Sequence, residues 1–143
     1  MANIAITRRR VQLVKQSFAK VVPIGDHAAS LFYGRLFEIA PEVRPLFKDD
    51  IPAQGRKLMS VLALAVGSLQ KLPELVPIVQ DLGRRHTGYG VRDEHYDLVA
   101  EALMWALDKG LGPDFTPEVK DAWIAVYTTL ADTMKGAAQQ IAA

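Results

Sequence analysis

The sequence contains no cysteine among its 143 residues. This absence excludes disulfide bonds, cysteine-ligated metal clusters and cofactors attached through cysteine thioethers. It also agrees with a reducing compartment. The chain is nevertheless half hydrophobic, so it has the apolar content needed for a folded core of one domain.

Long apolar runs and an excess of either charge are also missing. There are 17 basic and 16 acidic residues, and this balance gives no reason to expect nucleic acid as a partner. The longest apolar tract, Val61 to Val66, is far too short to span a bilayer, so no membrane partner is expected. Since the N-terminus lacks the apolar run of a signal peptide, we expect a soluble, cytoplasmic protein.

Strand-like alternation of polar and apolar residues is absent as well, while apolar residues recur at spacings of three and four. Eight prolines separate long proline-free segments. The sequence therefore predicts an all-α fold in a single domain over residues 1–143. The predicted helices span about 7–22, 26–39, 52–71, 73–86, 93–109 and 117–137, with a short helical turn at 41–47.

The stretch from Leu82 to Val91 carries the histidine with the most unusual position. His86 continues an apolar helix face, and Gly88 and Gly90 end that helix. A neutral histidine there can coordinate a metal through one nitrogen, while its other N–H bonds the carbonyl near Leu82. A core histidine with satisfied polar atoms is the alternative. The apolar face is formed by Leu75, Val76, Val79 and Leu82.

Three further polar side chains lie on faces that should be apolar. Tyr33 is flanked by phenylalanines, Gln54 lies one turn before Leu58, and Tyr96 lies on the inner face of its helix. Each has a structural alternative, because a buried tyrosine can bond a backbone carbonyl and a glutamine in a first helical turn can be solvated.

The order and spacing of these residues resemble the globin family, and within it the single-domain bacterial globins similar to the haem domain of flavohaemoglobins. The resemblance covers nearly the whole chain, and the pair formed by Phe47 and His86 is its most specific part. It implies a globin fold with a non-covalent haem b cofactor. The matching segments are Tyr33, Pro45-Leu46-Phe47, Gln54-Gly55-Arg56-Lys57-Leu58, His86 and His95-Tyr96.

The resemblance also implies roles for individual residues. His86 becomes the proximal iron ligand, Phe47 packs against the haem face, and Tyr33 and Gln54 form the distal hydrogen-bonding pair beside the apolar wall of Leu58. The other haem-binding residues implied are Lys57 and Arg85 as partners of the propionates, and Val91, Tyr96, Val99 and Tyr127. His27 is expected to be exposed and His95 to be structural.

The implied function is reversible binding of oxygen and other diatomic ligands, for transport or storage. The alternatives are nitric oxide dioxygenation with an external reductase, a haem-based redox sensor or electron carrier, and a helical bundle without cofactor. One departure favours ligand binding. The proximal glutamate of flavohaemoglobin-like globins is replaced by Ala138, and the nearest polar residue, Gln139, is neutral. The expected absence of a reductase domain also favours ligand binding.

Overall fold

Six α-helices account for most of the part of the chain that the computed structural model describes. That part is residues 6–47, 50–88 and 90–142, with only the backbone described for 138–142. It contains no strand, so the all-α prediction is confirmed. The helices are α1 (Arg8–Val21), α2 (Gly25–Ile39), α3 (Ile51–Gly67), α4 (Leu72–Gly88), α5 (Asp93–Leu111) and α6 (Pro117–Ala142). Short 3₁₀ turns lie at Val22–Ile24, Pro41–Leu46, Leu69–Lys71 and Gly112–Asp114.

Short polar side chains begin three of these helices. Thr7 Oγ1 accepts a hydrogen bond from the Arg10 amide at 3.2 Å, and Asp50 Oδ1 accepts one from the Ala53 amide at 2.7 Å. Thr116 Oγ1 accepts from the Val119 amide at 3.3 Å. These bonds satisfy amides that have no carbonyl partner within their helix, which fixes where α1, α3 and α6 start.

The ends of α3, α5 and α6 differ from the prediction. Helix α3 stops at Gly67 and leaves a separate 3₁₀ turn where helix was expected up to residue 71. Helix α5 continues through Gly110 to Leu111 and is capped by Gly112, whose φ of 58° is a conformation that glycine adopts without strain. Helix α6 extends to Ala142 rather than to Ala137.

Helix α5 starts at Asp93, as predicted, with its cap one residue earlier. Arg92 holds the cap position, and its amide donates to Nδ1 of His95 at 3.0 Å. His95 is buried, so this bond supports the structural role expected for it.

The main core lies between α1, α2, α5 and α6. Helix α2 packs against α5 and α3, and α1 packs against α6. One buried polar chain joins α1 to α6: Trp123 Nε1–H donates to Ser17 Oγ at 2.8 Å, and the Ser17 hydroxyl donates to the Leu13 carbonyl at 2.7 Å. Both donors, Trp123 Nε1–H and the Ser17 hydroxyl, have an acceptor, so neither is buried without a hydrogen bond.

Helix α4 packs along α6 with its backbone almost in contact. A Cβ atom at Gly83 would lie 2.4 Å from the carbonyl oxygen of Met134 and 2.7 Å from its Cα. The position therefore requires glycine, and it fixes the distance between the two helix backbones one turn before His86.

The buried face of α4 is narrower than predicted. Leu75, Val79 and Gly83 are buried, whereas Val76 is 38% exposed. Val76 follows Leu75 directly and so lies about 100° around the helix, at the edge of the contact with α6. Including Val76 in the inner face was wrong.

Within the described ranges, no single helix is both long and apolar enough to cross a membrane. The pair Ile51–Gly67 and Leu69–Gly88 meets the same length and composition criteria only when taken together, and the two segments meet at a bend of 61°.

The α4–α6 contact predicts opposite effects for two glycine-to-alanine substitutions. Gly83→Ala should lower the free energy of unfolding by about 1–3 kcal/mol, because the new methyl group meets backbone atoms that cannot rotate away. Gly34→Ala is the matched control, since nothing lies within 4 Å of a Cβ there, and it should raise stability by about 0.5–1 kcal/mol. Urea unfolding followed by circular dichroism measures both. Equal stabilities for Gly83→Ala and the parent protein would contradict the described packing.

Candidate functional site

His86 occupies the last turn of α4 and is half-buried. Its Nδ1 lies 2.7 Å from the carbonyl oxygen of Leu82, which confirms the hydrogen bond predicted from the sequence. Because a carbonyl can only accept, Nδ1 carries the hydrogen and donates it, and the lone pair of the neutral ring is on Nε2. This is the tautomer in which Nε2 can coordinate a metal, with its partner bond fixing the ring orientation.

An aromatic cluster joins α2 to the segment that follows the second 3₁₀ turn. The ring centroids of Tyr33 and Phe47 are 5.4 Å apart at an interplanar angle of 77°. Phe37 contacts both, with centroid distances of 5.9 Å to Tyr33 and 5.4 Å to Phe47. Such offset and edge-to-face pairs are favourable beyond the burial of their area. The structure thus brings together Tyr33 and Phe47, as the resemblance requires.

Tyr33 is hydrogen-bonded to the side chain of Gln54. Burial raises the pKa of Tyr33 to about 12, and the side-chain hydrogen bond with Gln54 lowers it in part. The phenol and the side-chain amide therefore lie within reach of each other, and each group carries both a donor and an acceptor. Tyr33 is only 3% exposed, and it remains protonated throughout the neutral range.

The close approach of α2 and α3 brings Tyr33 and Gln54 together. A Cβ at Gly55 would lie 2.9 Å from the Cβ of Ala29, so the two helices touch at the residue after Gln54. Ala29 lies one helical turn before Tyr33 on α2. The sequence interpretation missed the role of Gly55, although a glycine inside a helical pattern is a usable signal of close packing.

Leu58 lines an apolar cavity in the core, which neither Tyr33 nor Gln54 lines. A small cavity of about 20 Å³ lies between α1, α2, α3, α5 and α6, and its walls include Phe32, Leu58 and Leu62. A void of this size could admit one small molecule, but walls without polar groups do not hold water. Leu58 is thus part of an apolar wall, and its place beside the Tyr33–Gln54 pair stays a prediction.

Tyr96 and Tyr127 connect α5 to α6. The Tyr127 hydroxyl donates to the Tyr96 carbonyl at 2.7 Å. Burial raises the pKa of Tyr127, with further contributions from Tyr96 and Asp97. Burial also raises the pKa of Tyr96, and the charge of Asp93 adds to this. Both phenols are neutral at physiological pH.

Lys135 is a residue that the sequence interpretation missed. Its Nζ lies 5.6 Å from the ring centroid of Tyr96. The signal available was its spacing, because a position eight residues after Tyr127 lies about 80° around the helix and so on an adjoining face.

The predicted propionate partners lie at the surface. Arg85 and Lys57 are both exposed, and Arg85 forms an ion pair with Asp81, one turn back, at 2.9 Å. Their role at a propionate stays a prediction. Val91 and Val99 are half-buried, and the Val91 amide donates to the His86 carbonyl at 3.0 Å.

The remaining predictions concern single residues. His27 is exposed, as expected. The side chains of Ala138 and Gln139 lie outside the described residues, so the replacement of the proximal glutamate rests on the sequence alone.

Comparisons with known proteins agree with this arrangement. A family model described as Globin matches residues 30–134. The flavohemoprotein of Bacillus subtilis (strain 168) is 25% identical over 134 residues, which cover 92% of this chain and 34% of that protein. The chain thus spans about a third of the length of this relative.

Two solved structures are also similar. An engineered carbene transferase, whose parent is described as a candidate nitric oxide dioxygenase of Rhodothermus marinus, superposes with a TM-score of 0.86 and 29% identity, covering 96% of each chain. A bacterial globin from Campylobacter jejuni superposes with a TM-score of 0.83 and 24% identity, covering 94% of this chain and 98% of that one. At 24% identity, the similarity to the Campylobacter jejuni globin shows the fold alone.

The geometry of His86 predicts a ligand role that spectroscopy can test. His86→Gly should remove the strong Soret band of a histidine-ligated haem or shift it, and added imidazole should restore it, because the free base can replace the missing ring. His27→Gly is the control and should leave the spectrum unchanged, since His27 is exposed on another helix. An unchanged ferrous spectrum in His86→Gly would remove the basis of the assignment.

Proposed function

Because this chain belongs to the globin family, we propose that it reversibly binds oxygen and other diatomic ligands at a haem b held by His86. The family and the flavohemoprotein relative imply a haem cofactor, and the b type is part of the proposal. The cytoplasmic location stays a prediction.

The donor set of the described residues fits a haem. His86 directs Nδ1 at the Leu82 carbonyl, so Nε2 is the ring nitrogen that would coordinate the iron. Phe47 supplies an aromatic side chain close to Tyr33, suited to packing against a flat macrocycle. When bound, the haem supplies a ferrous iron that binds diatomic ligands and makes their outer atom more polar.

The observation that carries the proposal is the hydrogen-bonded pair of Tyr33 and Gln54. A phenol whose pKa is raised to about 12 stays protonated, so Tyr33 brings an O–H donor to the pair and Gln54 brings a side-chain N–H. Because Tyr33 is buried among phenylalanines, a bond from its O–H is worth more than it would be in water, where solvent competes for the bond. Such a donor stabilises a polarised ligand by about 1–2 kcal/mol, or roughly 5- to 30-fold in dissociation.

The two donors should not contribute equally, so variants of Tyr33 and Gln54 can be ranked by their effect on the oxygen dissociation rate. Tyr33 is buried and its ring packs against Phe32 and Phe37, whereas Gln54 is half-buried in the first turn of α3, where its side chain can swing more easily. Tyr33→Phe should therefore raise the oxygen dissociation rate about tenfold or more, and Gln54→Leu should raise it by less. Stopped-flow displacement of oxygen by carbon monoxide measures both rates.

The dissociation of carbon monoxide is the internal control, because this ligand is less polar and its rate should change little in either variant. Tyr33→Phe keeps the ring and its contacts, so a change in rate reports the hydroxyl. A larger effect of Gln54→Leu than of Tyr33→Phe would contradict the proposed arrangement of donors.

Nitric oxide dioxygenation is the second candidate function. It is favoured by the similarity to a structure described as derived from a nitric oxide dioxygenase candidate. The same Tyr33–Gln54 pair would hold the oxygen that reacts, and a reductase partner would have to return electrons to the haem after each turnover.

The two candidate functions differ in their dependence on electrons. We expect the oxygenated protein to consume nitric oxide once per haem without a reductase, and repeatedly only when a flavin reductase and NADH are added. An electrode measuring nitric oxide under both conditions separates them. Consumption that stays at one equivalent with an active reductase would leave ligand binding as the supported function. A redox sensor or electron carrier remains the third possibility and has no specific observation in its favour.

A further inference from the structure

We propose that Lys135 is a positioning residue that acts through Tyr96 to favour the ferrous state of the haem. The inference rests on the haem site proposed above and adds a residue that tunes it. Three observations carry it: the contact of Lys135 with the Tyr96 ring, the position of that contact beside the α4–α6 packing, and the opposite charge of Asp93, which also acts on Tyr96.

The contact has the geometry of a cation–π interaction. Lys135 Nζ lies 5.6 Å from the centroid of the Tyr96 ring, within the distance of about 6 Å at which such pairs attract. Tyr96 is 7% exposed and Lys135 is half-buried, so solvent screens the pair only in part. Lys135 therefore holds the ring in place and brings a positive charge to it.

The contact lies at the end of α4 that carries His86. Met134, the neighbour of Lys135, has its backbone against Gly83, and His86 follows Gly83 by about one helical turn. The bond from Tyr127 to the Tyr96 carbonyl ties α5 to the same part of α6. The positive charge of Lys135 is thus held by the packing of α4, α5 and α6, on the side of the site that carries His86.

Asp93 brings a negative charge to Tyr96, opposite to the positive charge of Lys135. Its charge raises the pKa of the phenol, so the carboxylate is close enough to be felt at the ring. A cation near the iron ligand disfavours the additional positive charge of the ferric state, and an anion favours it. Lys135 and Asp93 therefore push the ferric–ferrous equilibrium in opposite directions.

A pair of charge-removing variants tests this directly. In Lys135→Met, the ferric-to-ferrous ratio at a fixed applied potential should rise about two- to tenfold, a negative shift of the midpoint potential by about 18–59 mV at 59 mV per tenfold. Asp93→Asn should shift the midpoint in the positive direction. Lys135→Arg keeps the charge and should stay near the parent value. The measurement is a spectroelectrochemical titration of the haem-loaded protein.

Lys120→Met is the matched control. It removes the same charge from the same helix, at an exposed position about 22 Å along the axis, and should leave the potential unchanged. A purely structural role for Lys135 would not give opposite signs for Lys135→Met and Asp93→Asn.

Equal potentials for Lys135→Met, Lys120→Met and the parent protein would overturn the inference, as would a negative shift in Asp93→Asn. If Lys135→Met does not take up haem, Lys135→Gln takes its place, and the sign found for Asp93→Asn still decides. A parent protein without a histidine-ligated haem spectrum would instead overturn the proposed function, so the two failures are distinguishable.

Discussion

The contact between the backbones of α4 and α6 is the constraint on which the rest of the site depends. Gly83 lies against the carbonyl and Cα of Met134, and no side chain fits between them. His86 follows on the next turn, with its ring held by the Leu82 carbonyl. Helix α6 also carries the groups that reach Tyr96, so the histidine side of the site forms one packed unit in which a shift of α6 moves the ligand and its neighbours together.

The opposite side of the site is built in the same way, from a second close approach between helices. Gly55 lies against Ala29, and this contact sets Gln54 beside Tyr33. Phe47 completes the arrangement by packing on Tyr33 from the following segment. In physical terms, the proposed oxygen binding needs one coordinating nitrogen, one protonated donor and a dry environment, and these two interhelical contacts bring the necessary residues into place.

Features that depend on local periodicity were predictable from the sequence. The all-helical fold, the caps at Thr7 and Thr116, and the bond from His86 to Leu82 follow from residues a few positions apart. Features that depend on which helices meet were not. The exposure of Val76, the close approaches at Gly83 and Gly55, and the contact of Lys135 with Tyr96 each require a partner from a distant part of the chain. The assignment of Tyr33 and Gln54 as the donors came from the resemblance, and the structure adds that the two side chains lie beside each other.

The central claim is that the Tyr33 hydroxyl faces the ligand bound opposite His86. Infrared spectroscopy of the carbon monoxide complex tests it most directly, because a donor O–H near the outer atom of the ligand lowers the C–O stretching frequency. The account predicts a low-frequency band in the parent protein that moves to clearly higher frequency in Tyr33→Phe. A band at the same frequency in both proteins would contradict it, since the hydroxyl would then point away from the ligand.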